Sequence, residues 1–272
     1  MYVMNERVLY IGLMLFLFFS FSAYAQQEAL DKILLSEEHT AARIPALGAP
    51  NQVYEFAMEY PQVEGQPYLP YLDKDQLQGS LLLADGSTLT DIRFKYNIYE
   101  DAIEVNLKGK RVNLDPAEVV GFSFIDEEGE AHVFRNGYQI DAFSTQTDLT
   151  HLSYFEVLYE GPYVVVLRHW SREVKKSENT TKVPGMGQAA VWYYFSDPKE
   201  EAFLIKEGYF FPVKLNKAGF YRAFSDAEKQ IRTYVKKNWL RCRTTEELAK
   251  VAAYYERILT RRAERAKERQ LP

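Results

Sequence analysis

Residues 91–107 read DIRFKYNIYEDAIEVNL. Ile92, Phe94, Tyr96 and Ile98 alternate with Arg93, Lys95 and Asn97, and after Asp101 the alternation resumes with Ile103, Val105 and Leu107 against Glu104, Asn106 and Lys108. Successive side chains of a strand point to opposite faces, so a period of two predicts two strands, each with one buried and one wet face. The first should run from Asp91 to Tyr99. Around them, Asp85-Gly86, Lys108-Gly109, Glu128-Gly129, Asn136-Gly137 and Glu160-Gly161 supply glycines suited to hairpin turns. The spacing leaves no room for helices between strands, which excludes a doubly wound parallel sheet. The expected fold is mainly β: an antiparallel sandwich, roll or open barrel, closed by two C-terminal α-helices.

Working outward, the period of two extends upstream to Val53. Downstream, Tyr163–Trp170 (YVVVLRHW) and Ala189–Phe195 (AAVWYYF) are apolar or aromatic on both sides, as expected of strands in the middle of a sheet. Between them, Ser171–Gln188 has no periodicity and reads as a long exposed loop. Beyond Gly219 the period becomes helical. Ser225-Asp226-Ala227-Glu228 and Thr244-Thr245-Glu246-Glu247 have capping-box form. Ile231, Tyr234 and Val235 follow the first, with Asn238 as a stop. Leu248, Val251, Ala252, Tyr255, Ile258 and Leu259 follow the second and form a stripe that should pack on the sheet. The division expected is 1–25 signal peptide, 26–50 helix and linker, 51–215 β domain, 216–260 helices and 261–272 basic tail.

Val8 to Ala25 is an apolar run preceded by Arg7 and closed by Ala23-Tyr24-Ala25, which predicts signal cleavage between Ala25 and Gln26. No later apolar stretch reaches the length of a membrane span, so the expected location is secreted or periplasmic. A lipid anchor is not expected, because the cut has no cysteine. The one cysteine, Cys242, has no partner for an internal disulfide, so the fold must rest on its core. Arg241 and Arg243 flank it, but a tolerated thiol near a helix start is favoured over a redox group. Tyr221 to Pro272 carries 14 Lys/Arg against 7 Asp/Glu in a chain of net charge −5, giving an acidic body with a basic end.

Few residues point to chemistry. His39, His132, His151 and His169 show no i, i+4 pair, and neither a zinc motif, a nucleophile elbow nor a phosphate-binding glycine loop is present. No catalytic residue, metal ligand or cofactor is therefore assigned. His169 shares a strand face with Tyr163, Val165 and Leu167 and reads as a core or rim histidine. Gly185-Met186-Gly187, Asp73-Lys74-Asp75, Asp126-Glu127-Glu128 and the acceptor pattern Asn179-Thr180-Thr181 are read as loop and solvent chemistry. Arg257–Arg269 reads as a solvated basic face. The aromatics are 20 Tyr, 17 Phe and 3 Trp. Most serve a β core, while Tyr54, Tyr60, Tyr68, Tyr71, Tyr99 and Tyr138 are the candidates for binding a partner through exposed rings.

Leu81-Leu82-Leu83-Ala84-Asp85-Gly86, Arg93 to Tyr99 and Asp101 to Val105 resemble a "DG…RYN.Y.D.LEV" strand pair found in uncharacterised secreted proteins of the Bacteroidota. Tyr154 to Gly161, Ile231 to Leu240 and Glu246 to Tyr255 resemble the same group's ending. The resemblance covers about two thirds of the chain. It implies secretion and a sheet closed by C-terminal helices, and it implies no activity. Two functions are carried forward: a non-enzymatic module that binds a protein, glycan or envelope component, with no nucleic acid involved, and alternatively a hydrolase with carboxylates or His169 in a cleft.

Overall fold

The computed structural model describes residues 70–73, 76–107, 110–140, 149–179 and 190–269. The signal run, the Ala25–Gln26 cut, the helix and linker expected over 26–50, Tyr54, Tyr60, Tyr68 and Gly185-Met186-Gly187 lie outside the described residues. Twelve strands are described: β1 (Leu77–Leu83), β2 (Thr88–Asn97), β3 (Ala102–Leu107), β4 (Lys110–Asn113), β5 (Val119–Ile125), β6 (Ala131–Arg135), β7 (Phe155–Glu160), β8 (Val164–Ser171), β9 (Val174–Asn179), β10 (Ala190–Phe195), β11 (Lys199–Lys206) and β12 (Tyr209–Val213). Three α-helices follow: α1 (Lys217–Ala223), α2 (Glu228–Lys237) and α3 (Thr245–Glu268). Ten strands form one antiparallel, unclosed sheet in the order β12-β11-β8-β7-β6-β5-β1-β2-β3-β4. The fold class expected from the sequence is the one observed.

The β1–β2 and β5–β6 turns use Gly86 and Gly129, and Glu207-Gly208, not singled out in the sequence, joins β11 to β12; all three glycines have φ above +80°. Gly79 serves differently. A Cβ there would lie 1.9 Å from the Ser123 carbonyl oxygen, so the approach of β1 to β5 excludes any side chain.

On β2 and β3, Phe94, Tyr96, Ile103 and Val105 are buried as the alternation predicts, as is Ile98 just beyond β2. The wet face departs from it, because Asn97 and Glu104 are buried too. Residues 70–73 explain this: Tyr71 bridges to Asn97, and Leu72 N–H donates to the Tyr96 carbonyl at 2.9 Å. Glu104 then accepts from Tyr71 Oη at 2.8 Å and Asn97 Nδ2 at 3.0 Å, so its carboxylate is hydrogen-bonded where the crossing segment covers it.

β8 is a central strand buried on both faces, as expected. Val164 and Val166 meet the helices, while Val165 and Leu167 face Phe155, Phe203 and Phe210. β10 corrects the expectation for Ala189–Phe195: it pairs with β9 in a separate two-stranded sheet. β9 occupies part of the segment expected to be a loop. Its sequence, VKKSEN, is polar and hid the strand, which depends on pairing with β10.

The first capping box also fails. Ser225–Ala227 is a 3₁₀ turn, and α2 starts without a side-chain cap. Glu228 instead pairs with Arg232, while Asp226 binds Lys206 Nζ and Tyr255 Oη. The second box forms, with Thr244 accepting from Glu247 N–H at 3.2 Å. Leu248, Val251, Ala252 and Tyr255 lie buried against β7 and β8, and α3 continues to Glu268 with an exposed basic end. No helix among the described residues is long and apolar enough to cross a membrane.

A buried polar network pins α3 to the sheet. Arg168, on the helix-facing side of β8, donates from Nε to Glu156 Oε2 at 2.9 Å and from Nη1 to Thr245 Oγ1 at 3.2 Å, and it also binds Glu246. Glu156 further accepts from Trp170 Nε1 at 2.9 Å and is 2.7 Å from His132 Nδ1, while His132 Nε2 is 3.0 Å from Asp126. Burial pulls the His132 imidazole down, but its bonds to Asp126 and Glu156 outweigh this and leave it above the ordinary 6.5. Burial raises Glu156, yet Arg168, Trp170 and His132 hold it below the ordinary 4.5.

The signs follow by linkage. The His132 contribution is complete below pH 6.5 and is lost as pH rises through its higher folded value. The Glu156 contribution is present above pH 4.5 and is lost as pH falls through its lower folded value. Urea unfolding of His132→Gln should therefore show a smaller fall in stability than the parent between pH 6 and pH 8. Parallel curves over that range would remove His132 from this role.

Candidate functional site

The sheet curls far enough to bring the β2–β3 turn onto β8, although four strands separate β2 from β8 in the sheet order. Tyr96 fixes this closure. Its ring is buried against Phe122, Phe134 and Tyr154, and its hydroxyl donates to Asp101 Oδ1 at 2.6 Å. The Asp101 carboxylate also accepts from Tyr154 N–H at 3.2 Å, and Asp101 itself has φ +54°, uncommon for a residue with a side chain. Burial, then the Asp101 charge, push the Tyr96 phenol well above its ordinary range, so it remains a donor. Asp101 is thus held from both sides at the tip of the turn.

His169 comes to the same place from β8. It continues the face of Val165 and Leu167, stands opposite Glu201 of β11, and packs 5.5 Å from the Phe155 ring. The residue is 6% exposed, and neither Nδ1 nor Nε2 has a hydrogen-bond partner among the described residues. Nε2 lies 3.7 Å from Asp101 Oδ2, an ion-pair distance too long for a hydrogen bond. An imidazole always has at least one N–H to donate, and leaving a buried polar group unbonded costs about 1–3 kcal/mol. Such a group in a native interior needs an explanation.

His169 lines a cleft of about 480 Å³, a size within the range of small-molecule sites, together with Tyr99, Glu100, Asp101, Ser153 and Glu201. The remaining walls come from 98, 116, 149, 150, 152 and 171. Glu201 pairs with Lys199 at 3.1 Å, and Glu100 accepts from Asn97 Nδ2 at 3.3 Å. Tyr99, 40% exposed, meets Phe195 edge-on at 5.3 Å beside this opening. The site therefore offers a fixed carboxylate, an imidazole whose nitrogens are unbonded among the described residues, and an aromatic wall. No group of three or more His, Cys, Asp or Glu among the described residues is arranged to hold a metal ion.

Of the described tyrosines singled out in the sequence, Tyr71, Tyr99 and Tyr138, the structure brings one to the cleft. Tyr99 lines it. Tyr71 is buried, its hydroxyl bonded to Glu104 and its ring 4.7 Å from Lys95 Nζ, so it belongs to the closing segment rather than to an exposed patch. Tyr138 is half-buried, edge-on to Phe155 at 5.7 Å, with burial pushing its phenol up to about 12. His151 is exposed. Cys242 is fully buried, and burial pushes its thiol up to about 11 despite the flanking arginines. Asp101 and Glu201 were not nominated from the sequence. They reach the cleft through sheet curl and strand register, neither of which leaves a mark on local spacing.

Comparison with protein-family models, with curated proteins and with solved structures finds no match for this chain.

Proposed function

We propose that this chain is a secreted or periplasmic, non-enzymatic binding module of the cell envelope, and that its ligand sits in the cleft between Asp101 and His169. The observation that carries the reading is the buried His169 imidazole, which lines that cleft while neither ring nitrogen has a hydrogen-bond partner among the described residues. A ligand polar group there would satisfy an imidazole the protein leaves unpaired, while Asp101, already anchored by Tyr96 and Tyr154, would orient it. Tyr99 would supply flat apolar area of the kind that stacks on a sugar ring or another small ligand. The signal run and the resemblance to secreted Bacteroidota proteins support the location.

A second reading, a hydrolase, is favoured by one observation: the Asp101 carboxylate beside the His169 imidazole is an arrangement that orients a general base. Among the described residues no nucleophilic side chain is hydrogen-bonded to His169, which puts binding first.

One titration separates the two. Protein with labelled histidines is mixed with a muropeptide and glycan digest of cell envelope, and the ring resonances are followed by NMR. The binding reading expects His169 to shift with saturation, His132 to stay in place, and the digest to emerge unchanged. Steady release of new products, lost in His169→Ala, would give the site to the hydrolase. No shift of His169 with any fraction would sink both.

A further inference from the structure

Trp239 is 90% exposed, more than any other large hydrophobic residue among those described. It sits in the connection between α2 and α3, far from the cleft residues in sequence and unused by the reading above. The exposure is built into the turn. Trp239 has φ +56°, a left-handed conformation that a bulky side chain adopts only when its surroundings impose it. Hydrogen bonds on both sides do so. Asn238 Nδ2 donates to the Tyr234 carbonyl at 2.9 Å, Leu240 N–H donates to the Val235 carbonyl at 3.1 Å, and the Glu247 carboxylate accepts from Arg241 N–H at 2.9 Å and Arg243 N–H at 2.7 Å. Cys242, also in the left-handed region, is buried beneath the turn. The Tyr234 and Tyr254 rings stack at 4.2 Å and tie the two helices together behind it. Water would ordinarily drive an indole into the protein, and this turn holds it out.

The surroundings are cationic. Lys236, Lys237, Arg241 and Arg243 flank Trp239 and are all exposed. None of the four forms a side-chain ion pair among the described residues. Of the two acids in the first turn of α3, Glu247 is occupied with backbone amides and Glu246 with Arg168. A projecting indole ringed by unpaired cations matches the boundary of an anionic bilayer, where tryptophan rings settle at headgroup level and each basic residue gains from the negative surface potential.

We infer that the α2–α3 turn is a membrane-docking tip, in which Trp239 inserts among lipid headgroups while Lys236, Lys237, Arg241 and Arg243 engage anionic lipid. The basic end of α3 is a separate region. It lies about 36 Å along a 24-residue helix and lacks a large apolar side chain beyond Leu259. The tip thus adds peripheral attachment to a surface.

The test is sedimentation of the folded protein with vesicles of equal parts phosphatidylglycerol and phosphatidylcholine, and with phosphatidylcholine alone, at low salt. Wild-type protein should pellet with the anionic vesicles, with a blue shift in tryptophan emission, and remain free of the neutral ones. Trp239→Ala should lower the partition roughly tenfold, and each of Lys237→Gln and Arg241→Gln about fivefold. All three positions are exposed, so circular dichroism should be unchanged. The inference is overturned if wild-type protein stays in the supernatant with anionic vesicles, if Trp239→Ala pellets like wild type, or if immobilised polyglutamate retains the protein as strongly as the vesicles do. The last result would assign the tip to an acidic protein partner.

Discussion

Arg168→Met should lower the free energy of unfolding by about 3–5 kcal/mol, measured by urea denaturation. The loss comes mostly from what the substitution leaves behind. Glu156 is 3% exposed and would keep a buried charge with only Trp170 and His132 to bind it. Methionine preserves much of the volume, so packing is not the main cause. Replacing both partners, in Arg168→Met/Glu156→Leu, should therefore be less damaging than the single change, since a buried pair exchanged for apolar groups costs little. The same substitution cuts the ties from β8 to Thr245 and Glu246 at the start of α3. Hydrogen exchange should rise first in that helical turn. A loss below about 1 kcal/mol, or a double variant worse than the single, would show that the network does not hold the helix on the sheet.

Phe155→Ala should cost a comparable amount, about 3–5 kcal/mol, by opening a cavity where four rings meet. Phe155 is fully buried, with Phe210 at 5.4 Å, Phe203 at 5.5 Å and Tyr138 at 5.7 Å, all edge-on. It is also the wall against which the His169 ring rests at 5.5 Å. Ligand response at His169 should therefore disappear below the melting temperature of the variant, while the β1–β5 half of the sheet remains protected. A cavity that left both stability and the His169 response intact would separate the cleft from the core beneath it.

The alternation in Asp91–Leu107 was sufficient for the antiparallel class because one-sided burial and strand period are local properties. The stripe from Leu248 to Leu259 was sufficient for α3 for the same reason. Polar burial was not legible in this way. Glu104 occupies a wet position by period and is buried because Tyr71, 33 residues earlier, crosses over it. Ala190–Phe195 reads as a core strand, yet its partner is the polar β9, so composition alone assigned it to the wrong sheet. The capping pattern at Ser225 lost to tertiary demand, since Asp226 serves Lys206 and Tyr255 rather than its own helix.

The site was half legible. In the sequence His169 reads as a histidine on an apolar strand face, and Tyr99 as one of several candidate exposed rings. Their meeting with Asp101 depends on the curl of the sheet, which no spacing records. The exposure of Trp239 was equally hidden, because a left-handed turn between two helices looks in sequence like any helix stop.

Crystals soaked with the envelope digest would test the central claim most directly. Ligand density in the cleft, with a polar atom within hydrogen-bond distance of His169 Nδ1 or Nε2 and a second group facing Asp101, is the result expected. Ligand bound elsewhere on the protein, with the cleft holding nothing but water, would contradict it.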